Sequence, residues 1–438
     1  MALTLSNLPS ELISGAFRAG LVPHKRAKLY PPDDSANIRF LTTISAVCSL
    51  WRDIALSTQD LWTTIAYECH ANSGDRTECL EAFLARSRNA SIFLHVTFHR
   101  DSAVHVQRIH SILEPHLWRC RSFAILSNHK DISFQRVFFP LPGRLERLEE
   151  FAMLEVGGGD AGPTTLFVEN GAPSLCRLTI HSTLTRGVPF TTDHIPTNTL
   201  THLDLTISEV MHGQTLQFLR QCAAIVWLRF NVRTFVQLPF AFEPIQFPSL
   251  KTLSVQDNLT LGFRSLFSTP NLMVLHLHNP LRVFPVSPNL PSLPIETVEC
   301  TLQNLRQLHL HFSAFSSVKK LTIRRCFNIL NLPKCLAGFP EDNSGDPYPP
   351  EKIESPESRD TLLLPQLEYL KIVQSSCSRP GMKQWLKVLL TCRTCLFVSI
   401  DVQSFGWSSS KTEGTTMEML KAQFGLRFTV LGFLDSHR

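Results

Sequence analysis

Apolar residues recur along most of this chain in a Leu-x-x-Leu-x-Leu pattern, read in "PSLCRLTI", "NTLTHLDLTI", "PSLKTLSV", "PNLMVLHL", "SSVKKLTI" and "PQLEYLKI". Alternation at period two is the mark of a strand with one buried face. Taking the last apolar residue of each unit as a marker gives Ile180, Leu205, Phe230, Val255, Leu277, Cys300 and Ile323, at steps of 25, 25, 25, 22, 23 and 23 residues. Ile125 and Met153 extend the series upstream, and Ile372, Ile400 and Val430 continue it downstream. The step from Ile323 to Ile372 is 49, room for two units or for one with a long insertion.

Units this short cannot bury an apolar face alone, so the period predicts strands stacked side by side. The segments resemble leucine-rich repeats in an irregular form, without the Asn or Cys that closes a regular unit. The resemblance implies a curved solenoid with a parallel sheet. Between strands, "QTLQFLRQCAA" after Gly213 reads as a helix, whereas "TRGVPFTTDHIPTNT" reads only as a loop. "LQNLRQLHLHF" also fits the strand motif, but counting it breaks the even spacing around Cys300, so it is taken as a connection. Residues 337–360, rich in Pro, Ser and acidic side chains, read as an exposed loop.

About 90 residues before the repeats have another character. In "LPSELISGAF", Leu8, Leu12, Ile13, Ala16 and Phe17 share one helical face, with Pro9 suited to the first helical position and Glu11 to the positive end of the dipole. "IRFLTTISAVCSLWRDIAL" keeps helical spacing through Ile38, Leu41, Ile44, Val47, Trp51 and Ile54, and Leu61 and Trp62 follow in "STQDLWTTI". "DRTECLEAFLARS" reads as a helix with Asp75 and Glu78 placed like a capping box, and "SIFLHVTFH" as the strand that starts the repeats.

"LPSEL", then "VCSLWR", then "DLW" together resemble an F-box, over about residues 6–65. The spacing from Pro9 to Trp51 exceeds that of the compact form, and the whole layout is similar to F-box proteins common in fungi. The expected fold is therefore α/β, with an N-terminal three-helix F-box-like unit (1–66) before a leucine-rich-repeat-like solenoid (67–438).

The resemblance implies the substrate-recognition adapter of a Skp–cullin–F-box ubiquitin ligase, a protein without catalytic residues of its own. Leu8, Pro9, Glu11, Leu12, Ile13, Phe17, Val47, Trp51, Leu61 and Trp62 would bind the Skp-type adapter, and through it a cullin. A unit this small has too little interior to hide all those side chains, and exposed apolar surface marks partner sites. Two alternatives stay open. The same residues could cap the first repeat, or the chain could be a protein–protein scaffold outside any ligase.

In each alternating strand, the residues flanking the inward Leu point the other way and line up across strands. That face reads Arg177, Thr179, His181; His202, Asp204, Thr206; Trp227, Arg229, Asn231; Thr252, Ser254, Gln256; His276, His278; Lys320, Thr322, Arg324; and Tyr369, Lys371. The expected substrate-binding residues are Arg177, His202, Trp227, Arg229, His276, Lys320, Arg324 and Tyr369, types that populate binding hot spots. Lys320, Arg324 and Lys371 make the C-terminal part basic, which favours an acidic or phosphorylated segment of the protein substrate.

Composition narrows the alternatives. With 438 residues, 43% hydrophobic and 18% charged, the chain can bury a large core. A net charge of +5 without a block of like charges gives no footprint for nucleic acid. No apolar run is long enough for a membrane span, and the amino terminus lacks a basic region, so the expected location is cytoplasmic or nuclear. Twelve scattered cysteines fit a reducing compartment. Cys392 and Cys395 form one CxxC without a second pair, and His276, His278, His309 and His311 read as exposed strand residues, so neither metal nor cofactor is expected. No HExxH, Gly-x-Ser-x-Gly or P-loop occurs, and "VGGGDAG" (156–162) reads as an inter-repeat loop.

Overall fold

The computed structural model describes residues 8–21, 35–70, 77–99, 103–127, 137–155, 164–169, 171–182, 190–191, 194–209, 213–234, 243–257, 266–278, 294–301, 316–324, 364, 366–373, 396–401, 422 and 428–431. It is a mixed α/β structure in which parallel strands follow chain order, and it divides into two compact units, Met1–Cys222 and Ala223–Arg438. Among the described residues, no helix is long and apolar enough to cross a membrane.

The first unit opens with helices α1 (Ser10–Gly20), α2 (Ser35–Val47) and α3 (Ser49–Ser57), then a 3-10 turn at Gln59–Trp62. The continuous apolar periodicity from Ile38 to Ile54 conceals a break. Cys48 is extended, and its sulfur accepts from the Trp51 N–H, capping α3 and turning the chain away from α2. Ile13, Phe17, Leu41, Ile44, Ile54, Ala55, Leu61 and Trp62 fill one core, with Trp51 half-buried at its side and edge-on to Phe17. Gly20 lets α1 end against α2, because a Cβ there would run into the Phe40 ring.

Strand β1 (Thr64–Cys69) follows directly, so the sheet begins one strand earlier than "SIFLHVTFH" suggested. After α4 (Thr77–Arg86) come β2 (Ile92–Phe98), α5 (Ala103–Leu113), β3 (Cys120–Ser127), β4 (Glu150–Glu155), β5 (Arg177–Ser182), β6 (His202–Glu209) and α6 (Gly213–Gln221). Each strand pairs in parallel with the next. The segment read as pure loop contains a two-residue strand, Phe190–Thr191, paired with Thr164–Thr165. Two hydrogen-bonded residues leave no hydrophobic period to detect. Residues 75, 156–162, 302–312 and 337–360 lie outside the described residues.

The second unit continues the plan with β7 (Trp227–Thr234), β8 (Thr252–Asp257), β9 (Val274–His278), β10 (Thr297–Thr301), β11 (Lys320–Arg324), β12 (Tyr369–Val373), β13 (Phe397–Asp401) and β14 (Phe428–Leu431), again parallel and in order. The marker residues stand opposite one another: Phe230 pairs with Val255, Val255 with Leu277, Leu277 with Cys300, and Cys300 with Ile323. Ile323 pairs directly with Ile372, so the 49-residue step is one unit with a long insertion.

A repeated device starts these strands. A turn closes when the first Leu of the motif donates three residues back, as in Leu250 to Phe247 and Leu272 to Thr269. Two successive N–H groups then share one carbonyl of the preceding strand, Met273 and Val274 on Lys251, Lys319 and Lys320 on Glu296. The first Leu, buried like its successors at Leu175, Leu250, Leu272 and Leu367, anchors the turn while the next two point into the core.

Candidate functional site

Two surfaces stand out, one on the helices and one on the sheet. On the helices, the residues read from sequence divide. Ile13, Phe17, Leu61 and Trp62 are buried, and so belong to the interior, where a partner cannot touch them. The reason is local. Trp62 donates its indole N–H to the Ala55 carbonyl at 2.8 Å, meets Phe83 of α4 edge-on and lies under Arg86, so α4 covers a face that the helices alone would expose. Leu8, Pro9, Glu11, Leu12 and Val47 are on the surface, with Leu12 61% and Val47 55% exposed.

Ile38 and Leu50 add to this exposed apolar set, though sequence periodicity assigned Ile38 to the same face as buried Leu41. A shallow groove runs along α2, lined by Ile38, Arg39, Thr42, Thr43, Ala46 and Val47. Thr42 and Thr43 donate their hydroxyls to the carbonyls of Ile38 and Arg39 four residues back.

On the sheet, the outward residues line up as the alternation requires, but their charges are matched across strands. In the first unit Arg177 donates to Glu150 at 2.8 Å, and His181 lies 3.0 Å from Asp204. His202 is half-buried, and burial, then the Arg177 charge, lowers its pKa. In the second unit the middle row runs Arg229, Ser254, His276, Glu299, Thr322, Lys371 and Ser399.

Glu299 is the hub of that row. It accepts from the Arg324 guanidinium and lies 3.5 Å from His276, and the hydrogen bond from His276, reinforced by Arg324, holds its pKa at about 2. Glu299 offsets the Arg324 charge, so the basic character of the C-terminal half rests on Lys320, which is exposed, and Lys371, which is half-buried. Nor are the strand histidines exposed. His276 and His278 are half-buried with parallel rings 6.4 Å apart, and burial, then the Arg229 charge, pushes His278 down to about 4.

Glu150 and Glu299 escaped the sequence reading, although the same alternation that marks Arg177 and Thr322 marks them. Strand β10, with Val298 and Cys300 inward, carries no leucine to draw the eye. Phe397 was missed likewise. It pairs with Tyr369, itself opposite Lys320, and is 49% exposed. Trp227 heads the same row and Thr252 follows it. Arg229 and Trp227 are half-buried.

Cys48, Cys69, Cys79, Cys120, Cys176, Cys222 and Cys300 are not joined in disulfides. Burial raises Cys120 and Cys222 to about 12, which makes both poor nucleophiles. Cys392, Cys395, His309 and His311 lie outside the described residues. Comparison of the chain with protein-family models finds no match, and comparison with curated proteins finds none either.

Proposed function

We propose that the chain is an adapter that bridges two proteins, the substrate-recognition subunit of a Skp–cullin–F-box ubiquitin ligase. The observation that carries the reading is the apolar surplus of α1–α3. Their core is already filled by Ile13, Phe17, Leu41, Ile44, Ile54, Leu61 and Trp62, yet Leu8, Leu12, Ile38, Val47 and Leu50 still face solvent. Exposed apolar side chains of this kind, two of them (Ile38 and Val47) lining one groove, fit a docking face for an apolar partner surface. The LPSEL, VCSLWR and DLW motifs supply the identity of that partner, a Skp-type adapter carrying a cullin.

Substrate choice falls to the outward face of the parallel strands. Tyr369 and Phe397, with Lys320 opposite Tyr369 and Lys371 on the same strand, offer aromatic anchors beside cations, suited to an acidic or phosphorylated segment.

The test is capture of the Skp-type adapter and the cullin by the full chain, compared with Leu12→Asp and Val47→Asp. Both substitutions lie on exposed positions and should change stability by less than about 0.5 kcal/mol. Joint capture, lost in both variants, supports the ligase reading. Capture of the adapter without cullin would instead make the chain a scaffold outside the ligase, and no capture by the folded wild type would overturn the proposal.

A further inference from the structure

Two histidines and a glutamate meet at the ends of the first two strands. Cys69, the last residue of β1, pairs with Phe98, the last of β2, and the His99 N–H donates to the Cys69 carbonyl at 3.0 Å. The ladder thus runs one step further and sets His70 beside His99. Their rings stack with centroids 3.8 Å apart at 13°. Glu68 brings Oε2 to 3.2 Å from His70 Nε2 and 3.8 Å from His99 Nε2. All three ligand atoms lie within 4.8 Å of one another.

We infer that Glu68, His70 and His99 bind one divalent transition-metal ion of the zinc type, through the Nε2 atoms of both histidines and the Glu68 carboxylate. Two imidazoles with one carboxylate form a nitrogen-rich set that suits zinc, copper or nickel better than calcium or magnesium, which take oxygen ligands. A tetrahedral ion with bonds of about 2.0–2.1 Å needs ligand atoms roughly 3.3 Å apart. The two separations to Glu68 are close to that value and the third is at most 4.8 Å, so the stacked imidazoles must turn toward one another to share an ion, which side chains 61%, 43% and 35% exposed for Glu68, His70 and His99 can do.

Water completes the coordination. The bound ion adds a side-chain link between the ends of β1 and β2, beside the hydrogen bond from the His99 N–H to the Cys69 carbonyl. Sequence spacing gives no hint of it, because His70 and His99 are 29 residues apart and meet only through strand pairing.

The metal-stripped full chain, kept reduced, should be titrated with Co²⁺ and then Zn²⁺. The expected result is one equivalent of Co²⁺ with the visible spectrum of a tetrahedral site, no thiolate charge-transfer band, and displacement by Zn²⁺. Glu68→Gln and His99→Gln, each checked for native circular dichroism, should weaken binding by more than about tenfold. Absence of a stoichiometric site in the wild type, a thiolate band at one equivalent, or unchanged affinity in either ligand variant would overturn the assignment.

Discussion

Arg119 donates a guanidinium N–H to the Leu84 carbonyl at 2.8 Å, reaching from the 3-10 turn before β3 into the last turn of α4. The same guanidinium reaches Ser87 Oγ at 2.9 Å and the Ala90 carbonyl at 3.1 Å. Arg119 is buried at 1% exposure, and burial lowers its pKa. Its charge is held by the negative end of α4 and by fixed carbonyl dipoles.

Arg119→Met should therefore destabilise the chain by about 1–3 kcal/mol in urea unfolding, because the Ala90 carbonyl and Ser87 Oγ lose this donor while the Leu84 carbonyl keeps the Ser87 hydroxyl. Arg119→Lys should recover only part of the loss, since a single ammonium cannot span all three acceptors. A Met variant as stable as the wild type would remove the cap from the account.

Leu203, Leu253, Leu275 and Leu321 are fully buried at equivalent inward positions of β6, β8, β9 and β11. Truncation of any one to Ala should cost about 2–5 kcal/mol by denaturant titration. Losses below about 0.5 kcal/mol at two of them would be surface behaviour, incompatible with the register described.

Acid stability should fall in two stages. His278 has a pKa near 4 in the fold against 6.5 ordinarily, so the unfolded chain binds its proton first, and stability drops as pH falls from 6.5 to 4. Its surroundings are His276 on its own strand, Glu299 on β10, Arg324 on β11 and Arg229 on β7, of which only Glu299 favours the charged form. Glu299, near 2 against 4.5, contributes stability that is present above pH 4.5 and lost between 4.5 and 2. His278→Gln should flatten the upper stage and Glu299→Gln the lower one, read as the urea midpoint against pH.

A fragment ending at residue 66 carries all three N-terminal motifs but lacks Phe83 and Arg86, which cover Trp62. Its tryptophan emission should be shifted to the red relative to a fragment ending at 99, which retains α4 and adds no further tryptophan. Equal emission maxima would mean that the helices bury Trp62 unaided.

The markers of period and register could be read from residue order alone. Ile125 pairs with Met153, Met153 with Ile180, and Cys300 falls between Leu277 and Ile323 as the even spacing required. Side chains two apart in a strand share a face whatever surrounds them, so backbone geometry makes this pattern local and legible. The break at Cys48 was not legible, because apolar residues kept helical spacing straight through it.

Only the tertiary structure decided which outward charges meet. Glu299 and Arg324 stand 25 residues apart, His70 and His99 29, and each pair exists because parallel pairing places one strand beside the next. It also decided which apolar residues of the helices are spare. Ile13 and Leu12 are neighbours of equal hydrophobicity, yet one is sealed in the core and the other faces solvent. Residue order assigns a side chain to a helical face, but what covers that face depends on elements such as α4 that come later in the chain and pack back upon it.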